Sequence, residues 1–359
     1  MRLDWTPSPP LTVGLEWELQ IADRNTLQPK DIFEDIYPNL PEEIQPLIHK
    51  EVYKSMLEIV TPPLADENEI ESTLKGVLDA FKPLADRMNF HLIGLGSLFL
   101  EPKEEPKINL SPRYKRFAEE FQDLLKDFYI YGIHIHVGIP NAEWAVRAFN
   151  NLVRYAPLLL ALSANTPFYR GRNTGIHSYR MVVFEKLPRA GLPQHFNRYG
   201  EFESLIAHLT NAGAIGGIKD LWWHIRPRPD YGTIEVRVFD SQWNLERIKF
   251  LVRLVRAIAY YSERYQDEPL PGELLNQNWW WAKRYSLDAD FIDEKGRKAL
   301  KQVAFDLLYK FEDLGILQKL GYRLEELTAF LRRPSPAKDI SFRAKAVGLK
   351  KIVKGAAVV

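Results

Sequence analysis

The chain has 359 residues and no cysteine. That absence excludes disulfide scaffolds, thiolate zinc sites and thiol nucleophiles; any thiol in the chemistry must belong to a substrate. It fits a reducing compartment, so a cytoplasmic protein is expected. Charge of one sign is missing too. Lys and Arg number 48 against 47 Asp and Glu, a formal net charge of +1, so no global field favours nucleic acid or an anionic membrane as partner. Long apolar runs are lacking. The longest, around Leu158 to Leu162, falls far short of the roughly 20 residues that span a bilayer. The opening stretch Met1-Arg2-Leu3-Asp4-Trp5-Thr6-Pro7 has no apolar h-region. No internal repeat, low-complexity segment or third histidine at zinc spacing is found, which disfavours a zinc hydrolase.

What is present is apolar and aromatic. Some 46% of residues are apolar, with 9 Trp, 16 Tyr and 19 Phe, enough for a large packed core. Thr12 to Ile21 alternates polar and apolar and reads as a strand. Asp66 to Met88 carries a helical stripe of Ile70, Leu74, Val77, Leu78, Phe81 and Leu84. Phe90 to Leu95 and Tyr131 to Ile139 read as strands, and Ala142 to Ser163 as a long helix. Between them lie a loop over Gly96 to Pro112 and a helix to about Phe128, with Ser111 as N-cap and Pro112 at its first position. Asp220 to Ile225 and Thr233 to Phe239 are strands joined through a turn-rich link, Arg226 to Gly232. Arg247 to Tyr265, Gly272 to Arg284, Glu294 to Leu314 and Leu324 to Leu331 read as helices, followed by a basic tail, Arg332 to Lys354, taken as a solvated face. The class is α+β: one catalytic domain over 1–359, with a sheet-containing core over 11–240 and a helical region over 241–359.

Several strands carry polar residues on one face. Glu16 and Glu18 share a face because strand positions i and i+2 point the same way, leaving Leu15, Trp17 and Leu19 opposite. Two such carboxylates repel, and a Mg²⁺ ion relieves that; a strand with one wet face is the plainer reading. Glu58 interrupts the apolar run Leu57-Glu58-Ile59-Val60, where burial without a partner is costly. Glu51 lies seven residues earlier, so the two meet on one face only across a bulge or turn; a salt bridge is the alternative. His134 and His136 share a face of Gly132-Ile133-His134-Ile135-His136-Val137-Gly138, suiting a metal or phosphate, or a structural pair. Glu235 and Arg237 do the same, as metal ligand beside a phosphate-holding fork or as a surface network. Arg170-Gly171-Arg172-Asn173-Thr174-Gly175, with Arg180, forms a basic loop without the residue order of a P-loop.

Together these segments resemble the type 2 glutamate–cysteine ligase family, the carboxylate–amine ligases. The matching runs are Val13-Gly14-Leu15-Glu16-Trp17-Glu18, Leu57-Glu58-Ile59-Val60-Thr61-Pro62, Gly132 to Gly138, Asn165-Thr166-Pro167-Phe168 with Gly171 to Gly175, and Trp222 to Pro227 continuing to Thr233 to Arg237. They occur in family order over about residues 11 to 240. The resemblance implies a glutamine-synthetase-like core, an antiparallel sheet curved into a funnel with helices outside. It implies ATP and Mg²⁺ as cofactors, glutamate and an amine as small-molecule substrates, and a γ-glutamyl phosphate that the amine converts to an amide. Carried onto this sequence, Glu16, Glu18, Glu51, Glu58, His134 and Glu235 hold Mg²⁺. Arg237 and Glu58 stand nearest the chemistry, with Arg226 and His136 in the same pocket, and Arg172 and Arg180 meet the amino-acid substrate. Trp17 stands where the family often has a third acid, on the face away from the metals.

An acyl phosphate must be kept from water, so a closing loop is expected at Asn165 to Tyr179 and Pro188 to Arg198. Two other readings are weighed: a guanidino-type ATP phosphotransferase, which the lack of cysteine counts against, and a non-catalytic binding protein on the same fold. Self-association is left open; Trp279-Trp280-Trp281 reads as core before interface.

Overall fold

A computed structural model describes residues 3–109 and 111–359. Met1 and Arg2, at the head of the stretch read for an h-region, and Leu110, within the loop read before Pro112, lie outside the described residues, as does the Arg113 side chain. Seven strands form one antiparallel sheet: β1 (Val13–Asp23), β2 (Ile48–Lys50), β3 (Met56–Val60), β4 (Phe90–Ile93), β5 (Gly132–Gly138), β6 (Ile225–Arg228) and β7 (Thr233–Asp240). Their order is β6-β7-β5-β1-β3-β2, with β4 paired to the far end of β1. The class is α+β, as expected.

The alternation on β1 decides which face is core. Val13, Leu15, Trp17 and Leu19 are buried, while Gly14, Glu16 and Glu18 are partly open. Trp17 is fully buried and its indole N–H donates to Ser241 Oγ at 3.0 Å. Behind this face lie the helices Ala142–Ser163, Leu245–Tyr261 and Glu67–Met88. Each fully buried Leu, Ile or Val there contributes about 1.5–3 kcal/mol relative to exposure. The helix starts are capped as their residue types favour: Asp66 accepts from the amides of Asn68 and Glu69, and Asn141 from that of Trp144. No helix among the described residues is long and apolar enough to cross a membrane.

Four local expectations are corrected. The helix beginning at Pro112 stops at Phe121, because Gln122 adopts φ 46°, and a short turn Asp123–Lys126 follows. The link from Arg226 is not a turn: Arg226, Pro227 and Arg228 belong to β6, and the reversal is confined to 229–232. Gly232 sits there at φ 63°, where a Cβ would fall 1.9 Å from the Thr6 carbonyl oxygen. The expected helix from Glu294 begins only at Leu300, since Asp290–Asp293 and Gly296–Ala299 pair as a hairpin with Gly296 at positive φ. The basic tail is not merely solvated. It forms helices Pro336–Val347 and Leu349–Gly355 that bury Ile340, Ile352 and Val353, and Ala357 then bridges to Ile93 of β4.

Candidate active site

The face of the sheet turned away from the core is the floor of a cavity of about 630 Å³. Strand register brings its polar residues into one field. Glu18 lies opposite Glu58 and Glu16 opposite His134. His136 lies opposite Glu235, which in turn faces Arg226. Glu51 follows β2 in the turn leading into β3, and this hairpin turn closes the seven-residue gap between Glu51 and Glu58. On β7 the register shifts between Val236 and Phe239, so Arg237 and Val238 share the place opposite His134. The Arg237 amide donates to the His224 carbonyl at 2.8 Å, one pair beyond Ile225–Val236 in the same register. Alternation from Glu235 keeps the Arg237 guanidinium on the floor it lines, and the bulge leaves Val238 and Phe239 together on the core side.

Hydrogen bonds order the floor. His134 Nδ1 lies 2.7 Å from Glu16 Oε2, and His136 Nε2 lies 3.2 Å from Glu16 Oε1. His136 Nδ1 lies 3.0 Å from Thr233 Oγ1. The Gly132 amide donates to Glu18. Glu235 is fully buried and meets three guanidinium groups: Arg226 donates to both its oxygens at 2.8 and 3.0 Å, Arg237 contacts Oε1, and Arg228 lies 3.5 Å away.

The charges are unevenly matched. Burial would raise the Glu235 carboxyl, but Arg226 and Arg237 hold it well below the usual range. Burial likewise opposes ionisation of Glu16, yet the hydrogen bonds from His134 and His136 keep it well below. Glu58 goes the other way: burial, then the negative charges of Glu16, Glu51 and Glu18, push it well above. Burial lowers the His134 pKa, with Arg237 adding to the effect. Its buried Nε2 makes no hydrogen bond and lies 3.7 Å from Glu18 Oε1.

Three overlapping groups offer ligand atoms within 4.8 Å of one another: Glu16–His136–Glu235, Glu16–Glu58–His134 and Glu18–Glu51–Glu58. The donor set is mainly carboxylate oxygen, the chemistry that hard divalent cations take. The crowded carboxylates and the orphaned His134 nitrogen therefore fit Mg²⁺.

Other expected residues lie elsewhere. Arg172 is exposed on a two-residue hairpin strand and does not line the cavity. Arg180 is buried beneath the floor, with its guanidinium against Gly132 and Nη1 donating to the Arg237 carbonyl at 3.3 Å. Arg226 lines the cavity, but its donors go to Glu235 and to the Leu221 carbonyl, so it braces a carboxylate. The two segments expected to close over the site do not line it. Asn165, Thr166 and Ser178 are instead tied to the buried Asp240, at 2.8 to 3.0 Å. Sequence reasoning missed Arg228, Tyr231 and Lys219, and an apolar wall that includes Phe121, Phe184 and Trp222. The alternation of Arg226 and Arg228 was the available signal for the first; the wall has none, because its residues come from separate segments.

The family model for glutamate–cysteine ligase family 2 matches residues 12–333. The chain belongs to that family. A Rubrobacter xylanophilus protein provisionally named glutamate–cysteine ligase 2-3 is 36% identical over 330 residues, covering 90% of this chain and 89% of that protein. A Thermobifida fusca protein provisionally named glutamate–cysteine ligase 2 is 31% identical over 364 residues, covering 95% and 91%. Among solved structures, the Francisella tularensis glutamate–cysteine ligase in complex with AMP aligns with TM-score 0.68 over 98% of this chain and 88% of that one, at 14% identity. The bifunctional glutathione synthetase of Pasteurella multocida aligns with TM-score 0.70 over 96% of this chain, which spans 51% of that enzyme, also at 14% identity. These two likenesses bear on the fold. As a member of glutamate–cysteine ligase family 2, the chain is an ATP-dependent carboxylate–amine ligase, an enzyme that forms carbon–nitrogen bonds.

Proposed function

We propose that this ligase uses ATP and Mg²⁺ to phosphorylate the γ-carboxylate of glutamate and passes the acyl group to an amine, with the whole chain acting as one catalytic unit. The observation that carries the reading is the floor itself. Glu16, Glu18, Glu51, Glu58, His134, His136 and Glu235 converge from five segments onto one face, beside Arg237. Bound Mg²⁺ would neutralise phosphate oxygens against these carboxylates. Arg237, on the floor face beside Glu235, would meet the transferred phosphoryl group, with Glu235 fixing the guanidinium. His136 and Glu16 hold one another in place, and Glu18 is oriented by the Gly132 amide. Arg226 and Arg237 keep Glu235 ionised. The carboxylate oxygen attacks the γ-phosphorus and ADP leaves; the amine nitrogen then attacks the acyl carbon and phosphate leaves.

The test is phosphate release with glutamate, ATP and a panel of amines. Turnover should need Mg²⁺ and stop with a chelator. Glu18→Gln should abolish turnover while leaving the melting temperature close to wild type. Undiminished turnover in that variant would remove Glu18 from the metal site.

A further inference from the structure

The cavity has two unlike ends. At one, Ser8, Thr12, Arg228, Tyr231 and Thr233 offer hydroxyls, a phenol and a guanidinium. At the other, beyond Glu18 and Glu58, the wall is Phe117, Phe121, Phe128, Phe184, Leu187 and Trp222. These six side chains come from the segment that starts at Pro112, the short helix Tyr179–Phe184 and its exit, and the strand pair at Trp222. They brace one another. Phe117 and Phe121 meet the Trp222 ring edge-on at 5.6 and 5.4 Å, and Phe128 lies 6.1 Å from Phe184. Two edge-to-face contacts and one tilted contact of this kind make a preformed wall.

Resting on the ligase reading above, we propose that this apolar annex binds the side chain of the acceptor, and that the acceptor is an amine with a bulky apolar or aromatic substituent. Among the six wall side chains only the indole nitrogen of Trp222 can hydrogen-bond, and the hydroxyl of Tyr114, which lines the cavity edge-on to Phe117, already donates to the Lys50 carbonyl at 3.1 Å. Adenine carries an amino donor and ring acceptors whose burial without partners is costly, so the polar end suits the nucleotide better. The donor amino acid is charged at both α-groups, and none of the six wall residues is charged. A cysteine side chain is one methylene and a thiol, and it would leave most of this wall uncovered. An aryl-alkyl amine covers it while its nitrogen reaches toward the floor where the acyl phosphate forms.

The experiment measures kcat/KM for phosphate release with ATP, Mg²⁺ and glutamate. The acceptors are methylamine, butylamine, phenethylamine, alanine, phenylalanine and cysteine. Each methylene buried in the annex is expected to raise kcat/KM about fourfold. Phenethylamine should exceed methylamine by at least 30-fold, and phenylalanine should exceed cysteine. Phe121→Asp and, separately, Leu187→Asn should shrink the phenethylamine-to-methylamine ratio at least tenfold. If either variant fails to fold, the wild-type series alone decides. Acceptors of all sizes reacting alike, or cysteine leading, overturns the inference and leaves the ligase reading standing. A variant that raises KM for ATP without changing the acceptor ratio places adenine in the annex and also overturns it. Phosphate release that no amine accelerates would instead end the ligase reading.

Discussion

Glu185 offers a sharp test of how the helical region controls the floor. Its carboxylate accepts from His224 Nε2 at 3.0 Å and from the Trp279 indole and Lys283 ammonium. His224 is fully buried and stacks on Trp279 at 4.6 Å. Burial pushes the His224 pKa down, against the pull of the hydrogen bond to Glu185. Burial on its own would raise the Glu185 carboxyl, but the hydrogen bond and charge of His224, and then the charge of Lys283, bring it down to about 2. A carboxylate held there against an ordinary value near 4.5 stabilises the fold by ~3 kcal/mol at neutral pH. Glu185→Gln removes that charge, leaves Lys283 buried beside an amide, and should lower the melting temperature by roughly 4 °C in a chain of this size. Because the folded pKa is depressed, the contribution is complete above about 4.5 and fades as pH falls toward 2. The gap between wild type and variant, measured by urea unfolding, should therefore narrow across that window. Adding Lys283→Met should restore part of the loss. The effect reaches the site because the His224 carbonyl holds the Arg237 amide, so kcat should fall in Glu185→Gln. An unchanged melting temperature at pH 7, or a gap that does not depend on pH, would refute the reasoning.

Two further outcomes follow from the sheet. Arg237→Lys keeps a positive charge but loses the planar fork that reaches Glu235, and kcat should drop by about 10²–10³ with ATP affinity less affected, read from steady-state kinetics. Trp17→Glu would complete a run of three acids, but the position is fully buried among apolar neighbours, so the change should cost several kcal/mol in urea unfolding. Trp17→Phe, which loses the bond to Ser241 and part of the buried ring volume, should cost about 2 kcal/mol.

The strand and helix pattern was largely legible. Period-2 alternation identified β1, β5 and β7, and a helical stripe identified Glu67–Met88. The misreadings share a cause. Arg226-Pro227-Arg228 has turn composition, yet pairing with Thr233 to Val236 makes it a strand, and such pairing is not visible locally. The basic loop at Arg170 looked like an anion clamp, but Arg170 is paired with Glu101, Glu105 and Asp127 from distant segments.

The sequence by itself determined which side chains share a face of each strand, because alternation is a property of the strand alone. Glu16 with Glu18, His134 with His136, and Trp17 on the core side all follow from it. Tertiary structure decided the rest: that Glu58 stands beside Glu18, that a turn carries Glu51 to both, that pairing with β5 brings Arg237 opposite His134, and that six apolar residues wall one end of the cavity. Register and bulges are settled by contacts between residues far apart in the chain, and those contacts exist only once the strands have paired.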